Sequence, residues 1–208
     1  TLFRSTLVAG ICLGTVHDIT LDPIAQAQEA AATKTYQEVY PDAASFDEPQ
    51  ELADAVTAAA DSISEWGFGK VTINDAKEAL DASGNQIGYL ITSTSAESYG
   101  GNVQIAVGIT NEGELTGICF LSISDTPGLG MRAKEPDFKD QFIGKKAENL
   151  EVTKTGASAD NQIEAISGAT ITSKAVTNAT DAAIYFVANC LAQGRSEEHT
   201  SELQSHHG

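Results

Sequence analysis

Apolar and polar residues follow one another along the middle of the chain in patterns that predict a sheet. Alternating or continuous apolar segments predict four strands, at Val71–Ile73, Ile87–Ser93, Val103–Ile109 and Leu115–Ile123. Short connections rich in Gly and Asn separate them, at residues 83–85, 99–101 and 111–113. Because such short connections join neighbouring strands as hairpins, we expect the sheet to be antiparallel.

Two segments place apolar residues at helical spacing and predict helices that pack on this sheet. In Glu51–Ile63 the shared face consists of Leu52, Val56, Ala59, Ala60 and Ile63. In Ile171–Leu191 it consists of Ala175, Val176, Ala179, Ala182, Ala183, Phe186, Val187, Cys190 and Leu191. Between sheet and last helix we expect a helical segment around Pro136–Phe142 and then a polar stretch through Asn161. The predicted fold class is α+β, an antiparallel sheet with packed helices.

The N-terminal pattern predicts a membrane anchor followed by a stalk. Residues 6–16 form an uncharged apolar run that is shorter than the roughly 20 residues a bilayer-spanning helix needs. We interpret residues 6–18 as a truncated transmembrane helix and residues 19–42 as a helical stalk, broken near Pro23 and stopped at Pro41. A buried helix or a signal-peptide core are the alternatives. No Lys or Arg occurs between Ser5 and Lys34, which favours a domain outside the cytoplasm.

Both ends of the chain look foreign to the rest. Residues 1–5 and the tail at residues 195–208 resemble translated sequencing-library adapters, and we set them aside as artefactual. A polar disordered tail is the alternative interpretation of the second segment. We expect neither segment to contribute to function.

Composition and charge exclude several classes of protein. The chain has 29 Asp and Glu against 12 Lys and Arg, a net charge of −17, which excludes a nucleic-acid binder. Its three cysteines form no C-x-x-C pair, so zinc, iron–sulfur and disulfide-scaffold interpretations fail, and we expect no metal site. With one histidine outside the tail no catalytic triad can form, and we assign no catalytic residue. Any redox chemistry must come from an organic cofactor.

The start of the last predicted helix is the strongest local signal in the sequence. The segment ISGATITSK, residues 166–174, places hydroxyl residues and a lysine around the first helical turn. A helix start offers unpaired N–H groups and the positive end of the helix dipole, so the segment could bind a phosphate. The alternative is that Ser167 or Thr170 only caps the helix.

A longer string around this segment resembles a known motif. EAISGATITSKAVTNA resembles the flavinylation motif of the FMN-binding domain in the G subunit of the Rnf ion-translocating electron transport complex, and the related C subunit of the sodium-translocating NADH:quinone reductase carries a similar motif. Upstream, SYGGNVQIAVGI and SDTPGLG also match the family, and the resemblance runs from about Leu7 to Ala192. Two positions differ: Glu164 stands where the family usually has Asp, and Asp125 where it usually has Glu. The difference at Glu164 bears on how a flavin transferase or its Mg²⁺ engages the site.

The resemblance implies a covalently bound cofactor and a set of residues that hold it. FMN would be attached through a phosphoester bond to Thr170, within an FMN-binding domain at residues 43–194. The remaining cofactor-binding candidates fall into a phosphate group and a ring group. Around the phosphate they are Ser167, Gly168, Ala169, Thr172, Ser173 and Lys174; near the flavin ring they are Thr126, Gly128, Leu129 and Tyr99. Without the resemblance, residues 125–130 could be a plain Pro-Gly turn, and Tyr99 could serve packing alone.

The function implied is electron transfer within a membrane redox complex. The chain would be a non-autonomous component of an ion-translocating ferredoxin:NAD oxidoreductase, with the other subunits of the complex as partners and with a flavin transferase, using FAD and Mg²⁺, for maturation. It would be a single-pass protein of the inner membrane whose domain faces the periplasmic side. Alternatives are a protein like the C subunit of the quinone reductase, a stand-alone extracytoplasmic flavinylated electron carrier, or, from another class, a non-redox anchored anion-binding module.

Overall fold

A five-stranded antiparallel sheet lies at the centre of the computed structural model, which describes residues 34–146 and 149–191. Its strands pair in chain order: β1 (Ser45–Asp47), β2 (Val71–Leu80), β3 (Gln86–Ser98), β4 (Gly101–Thr110) and β5 (Leu115–Ile123). The prediction of an α+β fold with antiparallel hairpins is confirmed. β2 and β3 extend beyond their predicted ends, and β1 was not predicted.

Two helices cover one face of the sheet. α1 (Gln50–Ala60) is followed by a 3₁₀ turn at Ile63–Trp66, and the last helix, Thr170–Phe186, ends in a π-helical turn at Val187–Leu191. Alternate residues of β4 point towards these helices and are fully buried, among them Val103, Ile105 and Val107. The apolar face predicted for the last helix is buried as well, except that Val187 and Cys190 are half-buried.

The opposite face of the sheet is partly covered by residues just before β1. Val39, at the end of the helical residues 34–39, packs with Leu90 and Cys119 on this face. The hydroxyl of Tyr40 donates a 2.7 Å hydrogen bond to the carbonyl of Ile87. Gly88 makes this approach possible, because a Cβ atom there would lie 2.4 Å from the Tyr40 hydroxyl.

The connection between β5 and the last helix contains short elements. A 3₁₀ helix at Gly130–Lys134 leads into α2 (Pro136–Lys139) and a 3₁₀ turn at Asp140–Phe142, close to the helical segment that was predicted. β6 (Glu151–Thr153) and β7 (Gln162–Glu164) then pair in parallel. Neither of these short strands was predicted. The last helix is therefore α3.

Several predictions concern residues outside the described ranges. These are the adapter-like segments at 1–5 and 195–208, the truncated transmembrane helix at 6–18, and the stalk at 19–42 as far as residue 33. The helical residues 34–39 end just before Pro41. Within residues 34–146 and 149–191, no helix has both the length and the apolar character required to cross a bilayer. The described residues from Tyr36 to Leu191 belong to one compact unit.

Candidate functional site

An open cleft of about 490 Å³ lies at the N-terminal end of α3, and we call it the α3 cleft. Three chain segments form its walls: the β3–β4 hairpin at Tyr99, the loop after β5 at residues 125–130, and residues 168–172 at the start of the helix. Its volume lies within the range of roughly 300–1,000 Å³ that is typical of small-molecule sites. The second and third of these walls come from two sequence motifs that lie about 40 residues apart in the chain.

The helix that opens onto the cleft begins without a side-chain cap. Its N-cap residue is Ala169, which makes no side-chain hydrogen bond, so neither Ser167 nor Thr170 caps the helix. The N–H groups of the first turn have no carbonyl partner within the helix, and they carry the positive end of the helix dipole. This end of α3 has the donors that an anionic group requires.

The three hydroxyls of the first helical turns differ in their environment. Thr170 is half-buried, lines the α3 cleft, and its hydroxyl makes no hydrogen bond to any described residue. Thr172 is fully buried, and its hydroxyl donates a 2.6 Å hydrogen bond to Oδ2 of Asp125. Ser173 is also fully buried; its hydroxyl donates to the carbonyl of Ala169 and accepts the N–H of Ile166, both at 3.0 Å.

Asp125 connects the three walls of the cleft. Besides the Thr172 hydroxyl, Oδ2 accepts the Ser98 hydroxyl at 2.7 Å, and Oδ1 accepts the N–H of Thr126 at 2.7 Å. Burial acts to raise the pKa of Asp125, but the hydrogen bonds from Thr172, Ser98 and Thr126 outweigh it and lower that pKa below its ordinary value. Gly130 leaves room for the carboxylate, because a Cβ atom there would lie 2.2 Å from Asp125 Cγ. Asp125 is therefore an ionised, hydrogen-bonded carboxylate in the wall of the cleft.

Apolar side chains form the rim of the cleft. Tyr99, Leu129 and Ile171 are 73%, 42% and 54% exposed, which is unusual for large hydrophobic residues in this fold. Gly168 adopts a left-handed conformation with φ of 79°, and a Cβ atom there would lie 3.0 Å from Leu129 Cδ2. The rim offers apolar surface to a flat ring, next to a helix start that offers N–H donors to a phosphate.

The structure brings most of the predicted site residues to this cleft. Its lining includes Tyr99, Thr126, Leu129, Gly168, Ala169, Thr170 and Thr172. The other four lie elsewhere. Gly128 is in the same loop but outside the lining, Ser167 lines a separate depression beside Arg132, Ser173 is buried beneath the helix start, and Lys174 is exposed.

Three residues of the lining were not among the predicted site residues: Asp125, Gly130 and Ile171. Asp125 and Gly130 both belong to the SDTPGLG motif, so the motif itself carried a signal for both. Ile171 is an exposed apolar residue between two hydroxyl residues, which is the signal in the sequence that could have singled it out. Within the described ranges, no cluster of His, Cys, Asp and Glu side chains is placed to hold a metal ion.

Comparisons with known proteins agree with this site. The model of the FMN-binding domain family matches residues 98–185, which include all three walls of the α3 cleft. The donors at the helix start and the apolar rim fit the phosphate and the ring of that cofactor. The fold and the site thus define a domain of the FMN-binding class.

Two similar proteins identify the branch of the family to which the chain belongs. The chain is 34% identical to the G subunit of the Na⁺-translocating ferredoxin:NAD⁺ oxidoreductase complex of Acetobacterium woodii, over 90% of this chain and 89% of that protein. It is 35% identical to the G subunit of the proton-translocating ferredoxin:NAD⁺ oxidoreductase complex of Clostridium ljungdahlii, over 55% of this chain and 67% of that protein. The chain belongs to the G-subunit family of these ion-translocating oxidoreductase complexes.

A solved structure supports the fold. The C subunit of the Na⁺-translocating NADH-quinone reductase from Parabacteroides distasonis superposes with a TM-score of 0.53 at 21% identity, over 78% of this chain and 83% of that one. At this level of identity the likeness concerns the fold alone.

Proposed function

We propose that this chain is the electron-transferring G subunit of an ion-translocating ferredoxin:NAD oxidoreductase complex, and that it carries FMN on Thr170 through a phosphoester bond. One observation supports Thr170 as the attachment site. Among the hydroxyls of residues 170–173, that of Thr170 lines the cleft without a hydrogen bond to the described residues, whereas those of Thr172 and Ser173 are engaged. The relatives' names supply the complex.

The residues around Thr170 suit a phosphodiester. Such a group keeps one negative charge, which the free N–H groups and the dipole of α3 stabilise without a buried counterion. Lys174 lies four residues further along the helix, on the same face as Thr170, and its exposed side chain would add positive charge to that face outside the cleft. The left-handed backbone of Gly168 lets the chain approach the phosphate closely.

The rim of the cleft suits the flavin ring. Bound FMN supplies one-electron and two-electron transfer. Tyr99, Leu129 and Ile171 provide apolar surface for the ring, and the open side of the cleft leaves an edge within reach of a redox partner. A covalent bond suits a domain outside the cytoplasm, where lost FMN is not easily replaced.

The motifs missing from the sequence and its N-terminal apolar segment guide the assignment of partners and location. It has no G-x-G-x-x-G motif and no C-x-x-C pair, so we assign NAD binding, iron–sulfur clusters and the ion path to other subunits. The apolar segment at residues 6–18 would anchor the chain in the inner membrane, with the domain on the periplasmic side. A flavin transferase that uses FAD and Mg²⁺ would install the cofactor.

Co-expression of the chain with a flavin transferase tests the proposal. The protein should gain the mass of FMN minus one water, and the denatured band should fluoresce under ultraviolet light. Dithionite should bleach the flavin absorbance and air should restore it. A reversible anion-binding module would lose any flavin on denaturation.

The Ser167→Ala variant is a matched control, because Ser167 is an exposed hydroxyl of the same motif outside the α3 cleft. It should be labelled like the original chain. An unmodified mass, in cells that flavinylate another family member, would disprove the proposed cofactor attachment.

A further inference from the structure

Two threonines of the same helical turn line the α3 cleft, but their surroundings differ. The difference bears on which of the two hydroxyls receives the flavin. Thr170 and Thr172 have the same nucleophilic group and lie two residues apart. A transferase that brings FAD into the cleft must select the oxygen of Thr170 over that of Thr172, whose side chain is buried in the cleft wall. Two features distinguish them: the half-buried Thr170 has a hydroxyl that bonds to no described residue, whereas the fully buried Thr172 donates its hydroxyl to Asp125.

We propose that Asp125 is the positioning residue that directs flavin attachment to Thr170, because it holds the hydroxyl of Thr172 away from the incoming phosphate. This inference rests on the proposed function, since it concerns the selectivity of the same covalent step. It assigns a role to a residue of the loop after β5, rather than to the helix that carries the attachment motif.

The geometry around Asp125 favours this role. Thr172 is 0% exposed, and its single hydroxyl proton is donated to Oδ2 over 2.6 Å, so that the oxygen is pinned against the cleft wall. Ser98 and the N–H of Thr126 hold the carboxylate in place from two other segments. A Thr172 oxygen fixed by an immobile partner cannot turn towards a phosphorus atom in the cleft.

The charge of Asp125 acts in the same direction. Its hydrogen bonds favour the ionised carboxylate, which places a negative charge directly beside the Thr172 oxygen. FAD brings an anionic diphosphate, and like charges repel most strongly at short distance and in poorly hydrated surroundings. Thr170 has no carboxylate among its hydrogen-bond partners in the described ranges, and it lies at the positive end of the helix dipole.

The covalent step at Thr170 is a phosphoryl-group transfer with defined partners. Thr170 Oγ1 forms a bond to the flavin-side phosphorus of FAD, and the bond from that phosphorus to the bridging diphosphate oxygen breaks. AMP leaves with the bridging oxygen, and the hydroxyl proton is released to solvent. The transferase supplies FAD and Mg²⁺, and this chain supplies the nucleophile and its selection.

Peptide mapping of co-expressed variants tests the inference. In Asp125→Ala the ratio of flavin on Thr172 to flavin on Thr170 should rise by about tenfold or more, the scale set by the loss of a hydrogen bond to a charged group. Thr170→Ala should carry no flavin, whereas the double variant Thr170→Ala, Asp125→Ala should be labelled on Thr172. Asp125→Asn should keep most of the label on Thr170, with a smaller rise in this ratio than Asp125→Ala, because its amide oxygen still accepts the Thr172 hydroxyl but carries no charge.

Two further variants separate selectivity from general damage. Ser122→Ala removes an exposed hydroxyl of β5 that lies outside the lining of the α3 cleft, so its label should stay on Thr170. Asp125→Ser keeps an oxygen near the N–H of Thr126 but is too short to hold Thr172, so it should behave like Asp125→Ala even where the alanine variant folds poorly. Cooperative thermal unfolding verifies the fold of each variant.

The failure of this inference is distinguishable from the failure of the proposed function. If the original chain is labelled on Thr170 but folded Asp125→Ala and Asp125→Ser are also labelled on Thr170 alone, Asp125 has no role in selectivity. The same conclusion follows if the folded double variant remains unlabelled. If the original chain carries no covalent flavin at all, the proposed function itself is wrong.

Discussion

The carboxylate of Asp181, near the middle of α3, accepts a 2.8 Å hydrogen bond from the backbone N–H of Leu150, just before β6. Asp181 is only 3% exposed. Burial raises the pKa of its carboxyl to about 7, although the hydrogen bond from Leu150 acts to lower it. The helix that begins at the α3 cleft therefore contains a buried acid whose protonation is coupled to folding.

We expect this acid to make folding stability depend on pH. Because the pKa is raised in the folded protein, the stabilising effect of the bound proton is complete below the ordinary pKa near 3.8 and is lost as the pH rises through about 7. Between about pH 5 and pH 8 the free energy of unfolding should fall by about 2 kcal/mol on account of this group. Urea unfolding at several pH values measures the change.

Asp181→Asn isolates the contribution of the carboxyl. The amide oxygen can still accept the N–H of Leu150, but it does not ionise, so the variant should gain stability over the original chain as the pH rises. Asp160→Asn, at an exposed position, is the matched control for the exchange of a carboxylate for an amide. Parallel pH profiles for the original chain and Asp181→Asn would show that Asp181 does not titrate in this range.

Thr170→Ala should abolish covalent flavin while the protein remains folded. The side chain is half-buried and its hydroxyl has no hydrogen-bond partner among the described residues, so the free energy of unfolding should change by about 1 kcal/mol or less. Thr170→Ser should retain some label, because it keeps a nucleophilic oxygen. Fluorescence of denatured bands and urea unfolding give the two measurements, and a fluorescent Thr170→Ala band would exclude Thr170 as the attachment site.

Gly168→Ala should impair flavin attachment in addition to costing stability. Gly168 has φ of 79°, and a Cβ atom there would lie 3.0 Å from Leu129 at the cleft rim. Gly156 has φ of 81° with open space around it, so Gly156→Ala reproduces the backbone strain without touching the cleft. Each variant should lose about 1 kcal/mol of unfolding free energy. The labelled fraction should fall in Gly168→Ala and stay normal in Gly156→Ala; equal labelling would show that the loop tolerates the extra carbon.

Ser93→Ala should weaken the attachment of α3 to the sheet. The Ser93 side chain is fully buried in β3, and its hydroxyl donates a 2.9 Å hydrogen bond to the carbonyl of Ala179. Its removal should cost about 1 kcal/mol of unfolding free energy. Ser122→Ala, at an exposed position of β5, should have almost no effect on urea unfolding. A difference below a few tenths of a kcal/mol between the two variants would contradict this role for Ser93.

Local sequence patterns predicted the main elements of the fold. The alternation of apolar residues along β4, and the short Gly- and Asn-containing turns on either side of it, identified both the strand and its antiparallel partners. The apolar spacing from Ala175 to Leu191 identified the buried face of α3. These features depend on residues that are close in sequence, and for that reason they are visible without a structure.

The sequence pattern did not reveal the short strands or their pairing with strands that are distant in the chain. β6 and β7 are three residues long and pair in parallel, and Ile163 is their only fully buried residue. One apolar residue in a polar stretch has no periodicity, so nothing local distinguishes it from a loop. Likewise β1 is defined by its pairing with the end of β2 rather than by its own composition.

The sequence by itself indicated the two segments that line the α3 cleft, because the motifs at residues 125–130 and 166–174 are continuous strings that can be recognised locally. It could not determine the state of each hydroxyl. Thr170, Thr172 and Ser173 are chemically similar neighbours, and only the tertiary structure leaves the first without a described partner, bonds the second to Asp125, 47 residues earlier, and buries the third beneath the helix start. The physical reason is that a hydrogen bond across such a separation forms only when the sheet, the loop after β5 and α3 have packed together.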